Sequence, residues 1–348
     1  MTMQRMAIAA TLAFATATTT PALAVDFTGA GATFPAPLYQ KWGEDFVKAG
    51  GGRLNYQAIG SSGGVNQITN RTVDFGASDA PVAAETLQSG NLLQFPVTMG
   101  SVVVIVNLPG IEDAQLKLTG EIVADMYLGK IRRWNDPKLV EMNRGLTLPN
   151  VAVAPAYRAD GSGTTFIFTS YLAAVSPEWK GGPSAGNSVK WPAGSGARGN
   201  AGVAGLVQNT RGAIGYVENA FATQNKLTTT QLRNKAGNFV KADTPAFLAA
   251  ASNANWNVPN FAASIIDVNG AESWPIVSPT FILVPTNPTS QERTVESIKF
   301  FDWAFKNGDD AAKSLEYLPL PQNVKDAVRA KWRELKGPSG PIFAPSGS

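Results

Sequence analysis

The chain has 348 residues with 29 basic and 26 acidic side chains, no cysteine and no histidine. Without cysteine it has no disulfide, thiol nucleophile, thiolate metal ligand or cysteine-linked lipid anchor; without histidine it lacks the usual general base and the commonest metal ligand, so a Ser-His-Asp hydrolase and a His-ligated metalloenzyme are both excluded. A formal net charge of +3 is too small to argue for nucleic acid or an anionic membrane surface as a partner.

Residues 1–24 read as a secretory signal, with Arg5 as the positive end, an apolar stretch over residues 6–15 and the small-x-small pattern Ala22-Leu23-Ala24 before a cleavage point. The apolar run is too short to span a bilayer, and no later stretch is apolar enough. The expectation is a chain exported to a bacterial periplasm, soluble and not lipid-anchored, starting at or near Val25. The roughly 324 residues that follow exceed what one core usually serves, which predicts two domains with a cleft between them.

β-Branched and aromatic segments then alternate with amphipathic stretches, the pattern of an α/β fold with mainly parallel sheets flanked by helices. Leu38, Trp42 and Phe46, spaced by four, predict an early helix with one apolar face. Strands are predicted at residues 54–59, 102–107, 151–157, 213–216 and 280–284. The Gly-, Ser-, Asn- and Pro-rich residues 180–205 read as a long surface excursion. Thr289 and Glu292 form a capping box for a helix that runs through Val295, Ile298 and Phe305 and stops near Gly308. Pro321 opens a last helix with Val324, Val328 and Trp332 on its apolar face.

Three helix starts combine small hydroxyl residues with glycine: TGAGATFP at residues 28–35, GSSGG at residues 60–64 and RADGSGT at residues 158–164. Free N–H groups and the helix dipole make such a start a place for an anion. Singly, each reads as an ordinary N-cap and turn. Three aimed at one cleft would suit a small multi-oxygen anion, and the second and third follow predicted strand ends, where open α/β sheets bind ligands. Gly29-x-Gly31 matches half of a dinucleotide fingerprint, but Phe34 stands where its third glycine belongs.

Seven segments carry a resemblance: TGAGATFPAP (28–37), IGSSGGVNQI (59–68), VDFGASDAP (73–81), YLGKIRRWND (127–136), RADGSGTTFIFTSYL (158–172), GAIGYVE (212–218) and FFDWAF (300–305). In order and over nearly the whole mature chain, they resemble the periplasmic phosphate-binding proteins of high-affinity phosphate ABC transporters. The resemblance implies a two-lobed periplasmic binding-protein fold of type II, with residues 25–106 and 278–348 in one lobe, residues 107–277 in the other, and one phosphate enclosed between them. Carried over position by position, it implies that Thr33, Phe34, Ser61 and Asp79 of the first lobe and Arg158, Ser162, Gly163 and Thr164 of the second bind phosphate. It also implies membrane permease subunits as partners, a monomer in solution, and no enzymatic activity, metal or cofactor.

The chemistry of these residues fits that implication. Arg158 presents a planar, permanently charged fork to two anion oxygens, with Asp160 either orienting it or capping the next turn. Asp79 can only accept hydrogen bonds, so it suits an ion that still carries a proton and repels one, such as sulfate, that has none; otherwise it would cap a helix beginning at Pro81. Two other functions stay open: a secreted phosphatase or phosphoryl-transfer enzyme using the Ser162 hydroxyl as nucleophile, and a binding protein for another oxyanion.

Overall fold

The computed structural model describes residues 24–337 and 340–343, so residues 1–23 of the expected secretory signal lie outside the described residues. The elements that position the site are strands β1 (Phe27–Gly31), β2 (Leu54–Ala58), β3 (Phe75–Ser78), β4 (Leu92–Val106), β5 (Ala154–Arg158), β6 (Ser195–Ala197), β7 (Ala213–Glu218) and β8 (Ile276–Pro285). Around them lie helices α1 (Ala36–Lys48), α2 (Ser61–Thr69), α3 (Gly163–Val175), α4 (Gly199–Asn209), α5 (Gln291–Asn307) and α6 (Gln322–Lys331). Among the described residues no helix is long and apolar enough to cross a membrane.

The strands form one path in the order β2-β1-β3-β8-β4-β7-β5-β6. Pairing is parallel at the two ends, β2-β1-β3 and β7-β5-β6, and antiparallel in the middle, where β8 meets β3 and β4, and β4 meets β7. All 15 residues of β4 are buried, as a strand covered on both faces requires, which is why it reads as a near-continuous apolar run rather than an alternating one. Residues 92–101 of β4 pair with β8, whereas residues 102–106 pair with β7. This strand therefore bridges the two sets of parallel strands, through β8 on one side and β7 on the other. Pro96 has no N–H to give the ladder, and the register with β8 shifts beside it, between Thr280 and Phe281, as a bulge accommodates a strand proline.

Helix α1 buries Leu38, Trp42 and Phe46 as their spacing predicted. Its Trp42 Nε1–H donates to the Gly308 carbonyl, 2.9 Å away, at the end of α5. Phe27, Phe46 and Phe300 meet there, with ring centroids 5.5 Å apart for Phe27–Phe300 and for Phe46–Phe300, so the C-terminal helices pack onto the N-terminal strands. A second aromatic group, Tyr127, Phe168, Trp191 and Tyr216, holds β7 against α3; the Phe168 and Tyr216 rings stack at 4.1 Å.

Several expectations need correction. Residues 28–31, read as part of a helix start, belong to strand β1. Their glycines serve close packing, since a Cβ on Gly29 would sit 2.0 Å from the Phe75 ring. Strand 102–107 begins ten residues earlier, at Leu92. Strand 151–157 is β5, starting at Ala154, because the Val151 carbonyl is bonded instead by the Trp134 N–H. The cap of α5 is Ser290, whose Oγ accepts from the Arg293 N–H, one residue after the expected Thr289. Trp332 is buried but lies in a 3-10 turn after α6. Residues 180–205 are not all surface loop: their second half holds β6 and the start of α4, where Asn200 is fully buried. The small residues of GNAGVAGLVQN hide a helical stripe, Asn200, Val203, Ala204 and Val207.

Candidate functional site

Each of the three expected anion seats is a helix start. Ser61 opens α2 after β2, Ser162 caps α3 after β5, and Thr33 and Phe34 lie between β1 and α1. The fold brings them together although Ser61 and Gly163 are 102 residues apart in sequence. Thr33, Phe34, Ser61, Asp79, Arg158, Ser162 and Thr164 are all buried, at 7% exposure or less, and so is Gly163.

Hydrogen bonds connect most of them. The Ser61 hydroxyl oxygen accepts from the Asp79 N–H at 3.2 Å and from the Gly163 N–H at 3.1 Å, and it lies 3.5 Å from Asp79 Oδ2. Arg158 donates from Nη1 to Thr164 Oγ1 at 3.3 Å, and Asn200 Nδ2 donates to the same oxygen at 3.3 Å and to Thr33 Oγ1 at 2.8 Å. The Tyr317 hydroxyl sits 2.7 Å from the Phe34 carbonyl. The Ser162 hydroxyl accepts from the Thr165 N–H at 3.0 Å, capping α3, and the Ser162 backbone N–H donates to the Asn187 carbonyl. At the first turns of α2 and α3, where four N–H groups have no intrahelical partner, the amides of Ser61 and Thr164 are left without a protein acceptor among the described residues.

The two sides meet closely. A Cβ on Gly163 would fall 2.5 Å from Ser61 Oγ and 2.6 Å from Asp79 Cβ, so only glycine permits this approach of α3 to α2 and the end of β3. At the lip, the Ser62 N–H donates to the Gly161 carbonyl at 3.0 Å. An open groove of about 560 Å³ touches the cluster at Thr33 and Asn200 but does not reach Asp79 or Arg158.

Arg158 is fixed by Asp160 and Tyr216. Its Nε donates to Asp160 Oδ1 at 2.7 Å and its Nη2 to Asp160 Oδ2, a bidentate fork, while its backbone N–H donates to the Tyr216 hydroxyl, which the stacked aromatic group holds in place. Asp160 therefore orients the guanidinium. Burial pushes the Asp160 carboxyl up, but the Arg158 fork and the Gly199 N–H bring it below its ordinary value.

Asp79 does not cap a helix at Pro81: the next helix begins at Ala84. Its Oδ1 instead accepts from the Thr280 hydroxyl at 2.8 Å on β8. Burial raises its pKa from 3.8 to about 7, against the hydrogen bond from Thr280, the positive charge of Arg158 and the hydrogen bond from Ser61. Nearby, Glu218 is fully buried, and its Oε2 accepts from the Ala220 N–H at 2.9 Å and lies 3.0 Å from the Tyr317 hydroxyl. One tyrosine proton cannot serve both Phe34 and Glu218, so a proton on Glu218 completes the arrangement. Burial pushes this carboxyl well up in the same sense.

Sequence reasoning missed Asn200, Thr280, Glu218 and Tyr317. Asn200 had a signal, because GSGARGNAG at residues 194–202 is a fourth glycine-flanked helix start following a strand. Thr280 had none, since its partner Asp79 is 201 residues away.

The chain has known relatives. Residues 15–307 match the PBP superfamily domain. The phosphate-binding protein PstS of Pasteurella multocida is 48% identical over 315 residues, covering 90% of this chain and 92% of that one. The phosphate-binding protein PstS of Haemophilus influenzae is 47% identical, covering 90% and 95%. Among solved structures, a phosphate-binding protein from Stenotrophomonas maltophilia superposes with a TM-score of 0.69 at 20% identity, covering 89% of this chain and 94% of that one; this likeness speaks for the fold.

Proposed function

The chain belongs to the PBP superfamily and, within it, to the PstS phosphate-binding proteins, and from that premise we propose that it is a periplasmic solute-binding protein that captures inorganic phosphate and delivers it to the permease subunits of an ABC transporter. The observation that carries this reading is the composition of one buried network: the Arg158 guanidinium held by Asp160, the hydroxyls of Thr33, Ser61 and Thr164 and the free helix-start amides of Ser61 and Thr164, with the Asp79 carboxyl group set among these donors. Phosphate near neutral pH has bare oxygens for the donors and one O–H for Asp79. Sulfate would leave two acceptors facing each other, at a cost of about 1–3 kcal/mol or more.

Thr33, Phe34, Ser61, Asp79, Arg158, Ser162, Gly163 and Thr164 are the binding residues of this proposal. The lobes are residues 25–106 with 278–348 and residues 107–277, and β4 and β8 are the strands that connect them. The exchange of partners along β4, from β8 to β7, supports that division. Ligand held by both lobes favours the closed arrangement because it contacts both only there. The protein binds rather than transforms its ligand: the Ser162 hydroxyl is engaged as a helix cap, and the chain has no histidine to activate it. Export of a monomer to the periplasm completes the reading.

Titration calorimetry tests it. Phosphate binds with a dissociation constant of about 1 μM or tighter, about −8.2 kcal/mol; arsenate, with the same shape and proton, competes; sulfate does not. Asp79→Asn admits sulfate, and Arg158→Ala loses more phosphate affinity than any other single change in the site. Absence of phosphate binding, or unchanged selectivity in Asp79→Asn, overturns the reading. Turnover of a chromogenic phosphate ester would overturn the non-enzymatic part.

A further inference from the structure

Asn200 is fully buried between the two sides of the site. Its amide orientation is fixed, because its Oδ1 accepts from the Glu218 N–H at 3.0 Å, a group that can only donate. Nδ2 therefore faces the threonines, giving one hydrogen to Thr33 Oγ1 at 2.8 Å and the other to Thr164 Oγ1 at 3.3 Å. The Asn200 backbone N–H adds a second bond to Thr33 Oγ1 at 3.3 Å. A hydroxyl oxygen has two lone pairs. Those of Thr33 are both occupied by Asn200, so its hydrogen must be donated, and among the described residues it has no protein acceptor. Thr164 is biased the same way by Nδ2 and by Arg158.

Resting on the phosphate reading above, we infer that Asn200 is a positioning and specificity-determining residue: without touching the ligand, it compels the Thr33 hydroxyl to act only as a donor. A ligand oxygen that carries a proton then has no lone pair to meet at the Thr33 end. The proton of a bound phosphate is driven to the Asp79 end, and an ion with a second proton is disfavoured. Discrimination by Asp79 thus depends on the Thr33 hydroxyl being unable to accept.

The test is phosphate calorimetry on the full protein and on Asn200→Ala, Thr33→Val and the double variant, at about pH 8 and about pH 5, where phosphate gains a second proton. At the higher pH, Asn200→Ala weakens phosphate by about 10- to 100-fold. The loss is at least about fivefold smaller in the Thr33→Val background, the non-additivity of groups acting as a unit. At the lower pH, the freed hydroxyl oxygen accepts a hydrogen bond from the second O–H of phosphate and the loss in Asn200→Ala shrinks by about threefold or more. A residue that only tethers the two sides would lose the same factor at both pH values, and that result overturns the inference, as does an affinity within about twofold of the parent at the higher pH. Ligand-free melting temperatures of parent and variant, equal within a few degrees, exclude misfolding as the cause; a variant that does not fold is replaced by Asn200→Ser, judged by the same pH comparison. If the parent protein itself binds no phosphate, the functional reading fails, and this is distinct from a parent that binds while Asn200→Ala behaves like it.

Discussion

Asp79 carries a consequence for stability as well as for ligand choice. Burial raises the pKa of its carboxyl from the ordinary 3.8 to about 7. Between about pH 4 and 7 the folded protein holds a proton that the unfolded chain has lost, so stability falls as pH rises through that window, by at most about 1.4 kcal/mol per pH unit. Asp79→Asn removes this contribution, and the melting temperature of the ligand-free variant rises above the parent's by an amount that grows from about pH 4 to 7. Glu218, raised by burial too, contributes in the same sense and persists in the variant; a gain independent of pH would show that Asp79 is not desolvated without ligand. Arg158 is the opposite case. Its charge is matched by the Asp160 fork, so Asp160→Asn leaves the charge in place but loosens its aim, and phosphate affinity falls by about tenfold in the same titration.

At the scale of elements, the helix starts do the work, and Gly163 shows how tightly. Gly163→Ala puts a methyl within 2.5–2.8 Å of Ser61 Oγ and the Asp79 side chain. Overpacking of this kind costs about 1–3 kcal/mol, so phosphate affinity falls by about 10- to 100-fold. The glycine-and-hydroxyl pattern made three of these starts legible from sequence, because capping chemistry is local. The same local logic misplaced others. Gly29 and Gly31 read as part of a helix start, yet their missing side chains make room for β3, and small residues around Asn200 concealed α4. Asp79 could be singled out as an anomaly among donors, but its Thr280 partner could not, since that contact is set by the register of β8 against β3 rather than by spacing along the chain. The apolar run at the end of β4 was visible; its earlier half, interrupted by Pro96 and Gly100, was not.

At the scale of the molecule, β4 and β8 run between the two sets of parallel strands, and under the two-lobe proposal closure on ligand would flex these two. Small-angle scattering is expected to show a smaller radius of gyration with phosphate than without, and no change with sulfate. Phosphate at about 100 times its dissociation constant stabilises the folded protein by about 2.7 kcal/mol, read as a rise in melting temperature that Arg158→Ala abolishes. A scattering profile indifferent to phosphate would place the closed arrangement in the empty protein as well.

The contacts at the lip bear on that last outcome. Ser62 with Gly161, Gly163 with Ser61 and Asn200 with Thr33 join the halves through protein groups alone, so the clasp has some grip of its own. A vacant carrier able to shut unaided would occupy the transporter's entrance without cargo. Making more carrier than there is solute would then slow import, and the cell's rate of uptake would pass through a maximum as carrier abundance rises.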